Sequence, residues 1–183
     1  MKYITDKEIR GLSISPFQCV EWVKESFCMK YDAQVPPKIS LHPQKSDFFN
    51  TMPCLLPPEY DRFGVKVVSR IAGNKPSLRS DVLLYQASTG ILLSLMSADW
   101  ITQMRTGAVA ALTINTLQSS CANVYAFVGL GSTAIATMQC LLSTLPLQKQ
   151  ITCKLLRYKR QADDFINLFS AFSNVRSAIV ENN

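Results

Sequence analysis

Val124-Tyr125-Ala126-Phe127-Val128-Gly129-Leu130-Gly131-Ser132-Thr133-Ala134 reads VYAFVGLGSTA. An apolar run of strand length enters a glycine turn with the spacing G-x-G-x-x-A, and a helical pattern follows. Each residue type has a physical reason. Gly129 permits a tight turn after the strand. Gly131 has no side chain, so a pyrophosphate can approach the backbone. Ala134 lets the helix pack closely on the strand. The N–H groups that open the helix at Ser132 and Thr133 offer donors and a positive dipole end to phosphates. The motif alone is weak evidence. Its place between a predicted strand and a predicted helix is the supporting context. A glycine turn with no ligand is the competing reading.

Downstream of the turn the pattern gives a helix over 133–145, a strand over 151–156, a helix over 162–172 and a strand over 177–180. With the strand over 123–128 this is β-α-β-α-β, one mononucleotide-binding half of a doubly wound sheet. An NAD site usually carries a carboxylate near the end of its second strand. Here that region is Leu155-Leu156-Arg157-Tyr158-Lys159-Arg160, with three cations and no acid. A 2′-phosphate suits it, so NADP(H) is favoured over NAD(H), with Arg157 as a contact. A solvated basic loop is the alternative.

Upstream the pattern changes. Thr5-Asp6-Lys7-Glu8 has capping-box spacing, and Ser15-Pro16 opens a second helix predicted to about Lys30. Residues 38–42 and 64–70 alternate as half-buried strands do. DVLLYQA and ILLSLMS are strand-length apolar runs, with Thr89-Gly90 as a hairpin turn between them. Ser97-Ala98-Asp99 then caps a long helix over 100–117. The fold class is α/β: an α+β domain with a mixed sheet over 1–118, then the first half of a Rossmann domain over 119–183.

Apolar residues make up 48% of the chain and charged residues 17%, the balance of a folded protein. The net charge of +6 suits anionic ligands, but the basic residues form no block, so nucleic acid is not expected. The six cysteines include no C-x-x-C pair and there is one histidine, so the reading is buried free thiols and no metal site. The N-terminus lacks a signal-peptide pattern, and no apolar run approaches the ~20 residues of a membrane span. A cytoplasmic protein without a membrane partner is expected.

The stretches PPKISLHP, FFNTMPCLLP, GVKVVSRIAGN, TGILLSLMSADWIT and MRTGAVAAL, followed by the GLGSTA turn, resemble the ornithine cyclodeaminase/mu-crystallin family. The resemblance covers essentially the whole chain and is strongest from Pro36 to Ala134. It implies a first domain for substrate binding and dimerisation, a homodimer, and a small amino-acid or imino-acid substrate. It implies NAD(P)-dependent chemistry at the α-carbon: ornithine to proline, ketimine reduction or alanine-type dehydrogenation. Lys38 stands where the family places a cation for the substrate carboxylate. Lys66 matches the lysine beside the reacting carbon and is the catalytic candidate. Read without the family, Lys66 is a charge in an apolar alternating strand, functional or else snorkelling from an edge. Arg105 and Thr106 match a pair that reaches the cofactor phosphates; a surface cation is the other reading of Arg105. Asp81 stands where many members carry threonine, which puts that cofactor contact in doubt. The family's catalytic aspartate lies in a later part of the Rossmann domain than this sequence reaches. The expectation is therefore an incomplete chain without appreciable turnover. A non-enzymatic binding protein on the same scaffold is the alternative.

Overall fold

In the computed structural model, which describes residues 1–181, the capping signals open helices. Thr5 Oγ1 accepts the Glu8 N–H at 3.2 Å, and Glu8 accepts the Thr5 N–H at 2.8 Å, starting α1 (Asp6–Gly11). Ser15 Oγ accepts the Gln18 N–H at 3.1 Å, and Pro16 begins α2 (Pro16–Cys28), which stops short of Lys30.

The chain divides into two compact units, Met1–Ile14 with Lys24–Thr102, and Ser15–Val23 with the residues from Gln103 onward. The division falls within α2 and within α3 (Asp99–Leu117), whereas the sequence reading put its boundary between 118 and 119.

The first unit holds a six-stranded mixed sheet. Its strands are β1 (Lys2–Ile4), β2 (Ile39–Leu41), β3 (Phe48–Leu55), β4 (Arg62–Arg70), β5 (Leu78–Gln86) and β6 (Leu92–Ser97), in the order β1-β6-β5-β4-β3-β2. β1 runs parallel to β6, and the other pairs are antiparallel. The predicted Thr89-Gly90 turn closes the β5–β6 hairpin: Gly90 takes φ +70° and donates to the Gln86 carbonyl at 2.9 Å. β1 and β3 were not expected as strands. β3 contains Pro53, which cannot donate to a ladder. Its partner β2 pairs only with Phe49, Asn50 and Thr51, so Pro53 lies beyond the end of that ladder.

The second unit carries a parallel sheet, β7 (Val124–Phe127), β8 (Ile151–Leu156) and β9 (Val175–Val180), in the order β7-β8-β9. Helices α4 (Ser132–Thr144) and α5 (Gln161–Leu168) make the crossovers. Ile151, Cys153 and Leu155 of central β8 are buried and Lys154 is exposed. Met138, Leu141 and Phe165 are fully buried as well, each contributing about 1.5–3 kcal/mol of transfer free energy, and Met138 Sδ lies 3.9 Å from Cys153 Sγ. α5 ends at Leu168 rather than at 172. The ring series Phe127–Phe165–Phe169–Phe172, with centroids 5.3, 4.8 and 6.1 Å apart, continues past the helix end. Turn hydrogen bonds also continue there, from Phe169 N–H to the Phe165 carbonyl at 3.3 Å and from Phe172 N–H to the Phe169 carbonyl at 3.1 Å.

α3 and α4 meet without side chains between them. A Cβ on Gly107 would lie 2.5 Å from the Ala136 carbonyl carbon and 2.6 Å from the Thr137 nitrogen. Position 107 is thus glycine because two backbones touch there. Cys19, Cys140 and Cys153 are buried as expected, but Cys28 and Cys121 are exposed. Among the described residues no helix is long and apolar enough to cross a membrane.

Candidate functional site

Leu130 anchors the glycine turn. It is 3% exposed, while Gly129, Gly131, Ser132 and Thr133 on either side of it face outward. Gly129 has φ +85°, a conformation that L side chains rarely adopt. Gly131 has φ −77° and is the N-cap of α4. Its side of the turn is open, with no atom within 4 Å of an added Cβ. No side chain caps α4, and its first intrahelical bond runs from the Ile135 N–H to the Gly131 carbonyl at 3.1 Å. The N–H groups of Ser132, Thr133 and Ala134 precede that bond, so they lack intrahelical acceptors. A Ser, Asp or Asn at the cap would satisfy one of them. Glycine there leaves them for a ligand.

A cleft of about 560 Å³ runs from Val124 along β7 to Gly129, Thr133 and Thr137. Consecutive strand residues point to opposite faces, so a cleft lined by every residue of β7 follows the strand's edge. Among the described residues β7 pairs only with β8. In a doubly wound sheet that edge is where the strand order reverses, and ligands bind at the carboxyl ends beside it.

Arg157 leaves β8 at this same carboxyl end. Its Nε donates to Glu181 Oε1 at 2.8 Å, and its Nη1 lies 3.3 Å from Asp163 Oδ2. The bond to Glu181 and that carboxylate's charge raise the guanidinium pKa. The sequence has no acid within residues 155–160, with Asp163 and Asp164 following at once; the structure pairs Arg157 with Asp163, in the first turn of α5, and with Glu181, after β9. Lys159 sits 5.3 Å from the centre of the Tyr158 ring. On α3, Arg105 is exposed, and it precedes by half a turn the Gly107 contact with α4. Thr106 is half-buried beside it.

In the first unit, Lys66 lies on β4, an interior strand, which removes the edge-strand reading. It is half-buried. Its register partners form the transverse row Ile4, Met96, Val82, Lys66, Met52. The lysine is the one charge in that row. Gly64, two residues earlier on the same face, leaves the adjoining position without a side chain. Continuing the Ile39–Thr51 register by one residue sets Lys38 opposite Met52. Lys38 and Lys66 then share a face with one strand between them, about 10 Å apart at the backbone. The next row on that face is Ser40, Asn50, Val68 and Ser80. Ser40 donates to Asn50 Oδ1 at 2.6 Å, and the buried Ser80 hydroxyl makes no hydrogen bond among the described residues. These polar groups were missed from sequence; the register of β3, itself unrecognised, brings Asn50 beside Ser40. Asp81 pairs with Val67, so it faces away from Lys66 and cannot serve it as a proton partner there.

A sequence model of the ornithine cyclodeaminase/mu-crystallin family matches residues 3–180. An alanine dehydrogenase of Archaeoglobus fulgidus is 30% identical over 144 residues, which are 75% of this chain and 43% of that protein. An archaeal alanine dehydrogenase dimer with bound NAD superposes with a TM-score of 0.85 at 23% identity, over 97% of this chain and 55% of that one. The Δ1-pyrroline-2-carboxylate reductase of Thermococcus litoralis, in complex with NADH and L-proline, superposes with a TM-score of 0.87 at 24% identity, over 100% and 57%. The chain thus spans about half the length of these relatives.

Proposed function

The chain belongs to the ornithine cyclodeaminase/mu-crystallin family, and from that premise we propose that it binds a nicotinamide dinucleotide and a small amino or imino acid, for chemistry at the α-carbon. The observation that carries the dinucleotide part is the uncapped, outward-facing turn of Gly129, Gly131, Ser132, Thr133 and Ala134. It fits a pyrophosphate: three N–H donors, a positive dipole end and no side chain in the way. Arg105 and Thr106 are the helix α3 residues assigned to the phosphates. The nicotinamide ring, when bound, accepts or donates a hydride at the substrate's α-carbon.

The chain's own groups do the rest. Lys38 holds the substrate carboxylate as a point charge, without the bidentate fork of arginine. Lys66 lies between Met52 and Val82 in its row and supplies that row's positive charge. In this reading its Nζ donates to the nitrogen or oxygen on the α-carbon. The relatives with NAD and NADH support a nicotinamide cofactor. The preference for NADP(H) now rests on Lys159 and Arg160, because Arg157 is engaged by carboxylates. A homodimer is part of the proposal, supported by the dimeric relative and by the exposed Ile39 and Leu41 on edge strand β2.

The test is thermal melting with NADH, L-proline, L-alanine or pyruvate. A ligand that binds the native state raises the melting temperature. NADH is expected to raise it in the wild type and in Lys66→Met. The small acids are expected to raise it in the wild type alone. No shift with any ligand would overturn the proposal.

A further inference from the structure

We infer that Glu181 tunes the discrimination between NAD(H) and NADP(H) by holding Arg157 in an ion pair that a 2′-phosphate would have to break; this rests on the dinucleotide reading above. The placement follows from strand register. Leu156 pairs with Val180, and the Arg157 N–H donates to the Val180 carbonyl at 2.9 Å. Arg157 and Glu181 therefore leave adjacent parallel strands side by side, at the carboxyl end of the sheet. Phe127 pairs with Leu155, so the glycine turn leaves at the same end, one strand away. In this strand order the adenosine ribose lies beyond the end of the second strand, which here is β8.

Arg157 offers a fork of N–H donors, and two of them are taken. Nε is bound by Glu181 at 2.8 Å and Nη1 by Asp163 at 3.3 Å. Two carboxylates against one guanidinium leave the trio net negative. A ribose 2′-hydroxyl can donate to Glu181 and leave the pair intact. A 2′-phosphate needs the guanidinium and meets the carboxylates' repulsion first. Lys159 and Arg160 act in the opposite sense, so the loop carries both attractions and Glu181 sets their balance.

The experiment is isothermal titration of the whole chain with ADP-ribose and with its 2′-phosphorylated form. These probes use only the adenosine end of the cofactor. Glu181→Gln keeps the side chain's shape and removes its charge. It is expected to raise the affinity ratio, 2′-phosphate over 2′-hydroxyl, by about fivefold, the upper range for an exposed charge pair. Asp163→Asn is expected to move the ratio the same way by less, because its contact is longer. Asp164→Asn makes the same change in net charge away from Arg157 and is expected to move the ratio less than twofold. If both nucleotides bind and Glu181→Gln leaves the ratio within twofold of the wild type, this inference falls while the dinucleotide reading stands. If neither nucleotide binds any of these proteins, both fall.

Discussion

Gly107→Ala sets helix propensity against packing, and the two forecast opposite signs. Propensity alone favours alanine in a helix interior by about 1 kcal/mol. The structure opposes it. The new methyl would stand 2.5 Å from the Ala136 carbonyl carbon, 2.6 Å from the Thr137 nitrogen and 2.7 Å from the Ala136 oxygen. All three are backbone atoms, so no side chain can swing aside. Restoring ordinary carbon contact near 3.5 Å moves α4 away from α3 by about 1 Å, a gap that forfeits a quarter to a half of each dispersion well along the seam. Ala108, Ala111 and Cys140, all fully buried, lie near it. Overpacking of this kind costs about 1–3 kcal/mol, and an unyielding backbone puts Gly107 at the upper end. The net expectation is a loss of about 2 kcal/mol, or a melting temperature lower by about 4–8 °C for a chain of this size. Gly11→Ala is the control: Gly11 is also helical, and nothing lies within 4 Å of its added Cβ. It is expected to be neutral or slightly stabilising. Urea unfolding of the three proteins decides. A Gly107→Ala protein as stable as the wild type, or more so, would refute the argument that these backbones touch.

Gly129→Ala meets no atom, so its cost is purely conformational. At φ +85° that cost is about 1–2 kcal/mol, readable as a lower urea midpoint. Burial pushes the Cys140 thiol up to about 12 and the Cys153 thiol up to about 11, from an ordinary value of 9.0. The unfolded chain therefore ionises first. Stability is full below pH 9 and falls above it, by about 1.4 kcal/mol per thiol for each pH unit until the folded thiols titrate. Unfolding under reducing conditions at pH 8 and pH 10 should show this loss, and the Cys140→Ala/Cys153→Ala protein should show much less of it.

Local chemistry made much of the second unit legible. A strand, a glycine turn and a helix in immediate succession leave few alternatives, and β8 falls on the residues its apolar pattern predicts. The lysine face was legible only in part. Lys66 stood out as a charge in an alternating strand beside the legible β5, but its neighbours on the other side come from β3, which Asn50 and Pro53 disguise. The setting of Arg157 was legible only in part: Asp163 follows the basic cluster closely in sequence, whereas Glu181 reaches it through the β8–β9 register from 24 residues away. Reading cofactor preference from the composition of one loop counted its cations and missed Glu181, which arrives from the next strand.

The central claim is that the open N-terminus of α4 receives a dinucleotide's phosphates. Gly131→Val tests it most directly, because φ −77° suits any residue and the space is empty. The fold should be undisturbed while the side chain occupies the pyrophosphate's approach. Isothermal titration with NADH, paired with a melt of each protein, is the measurement. Saturable binding by the wild type that weakens with added salt, a loss of about tenfold or more in Gly131→Val, and an unchanged melting temperature are predicted. Equal affinity in the two proteins, or no saturable binding by the wild type, would contradict it.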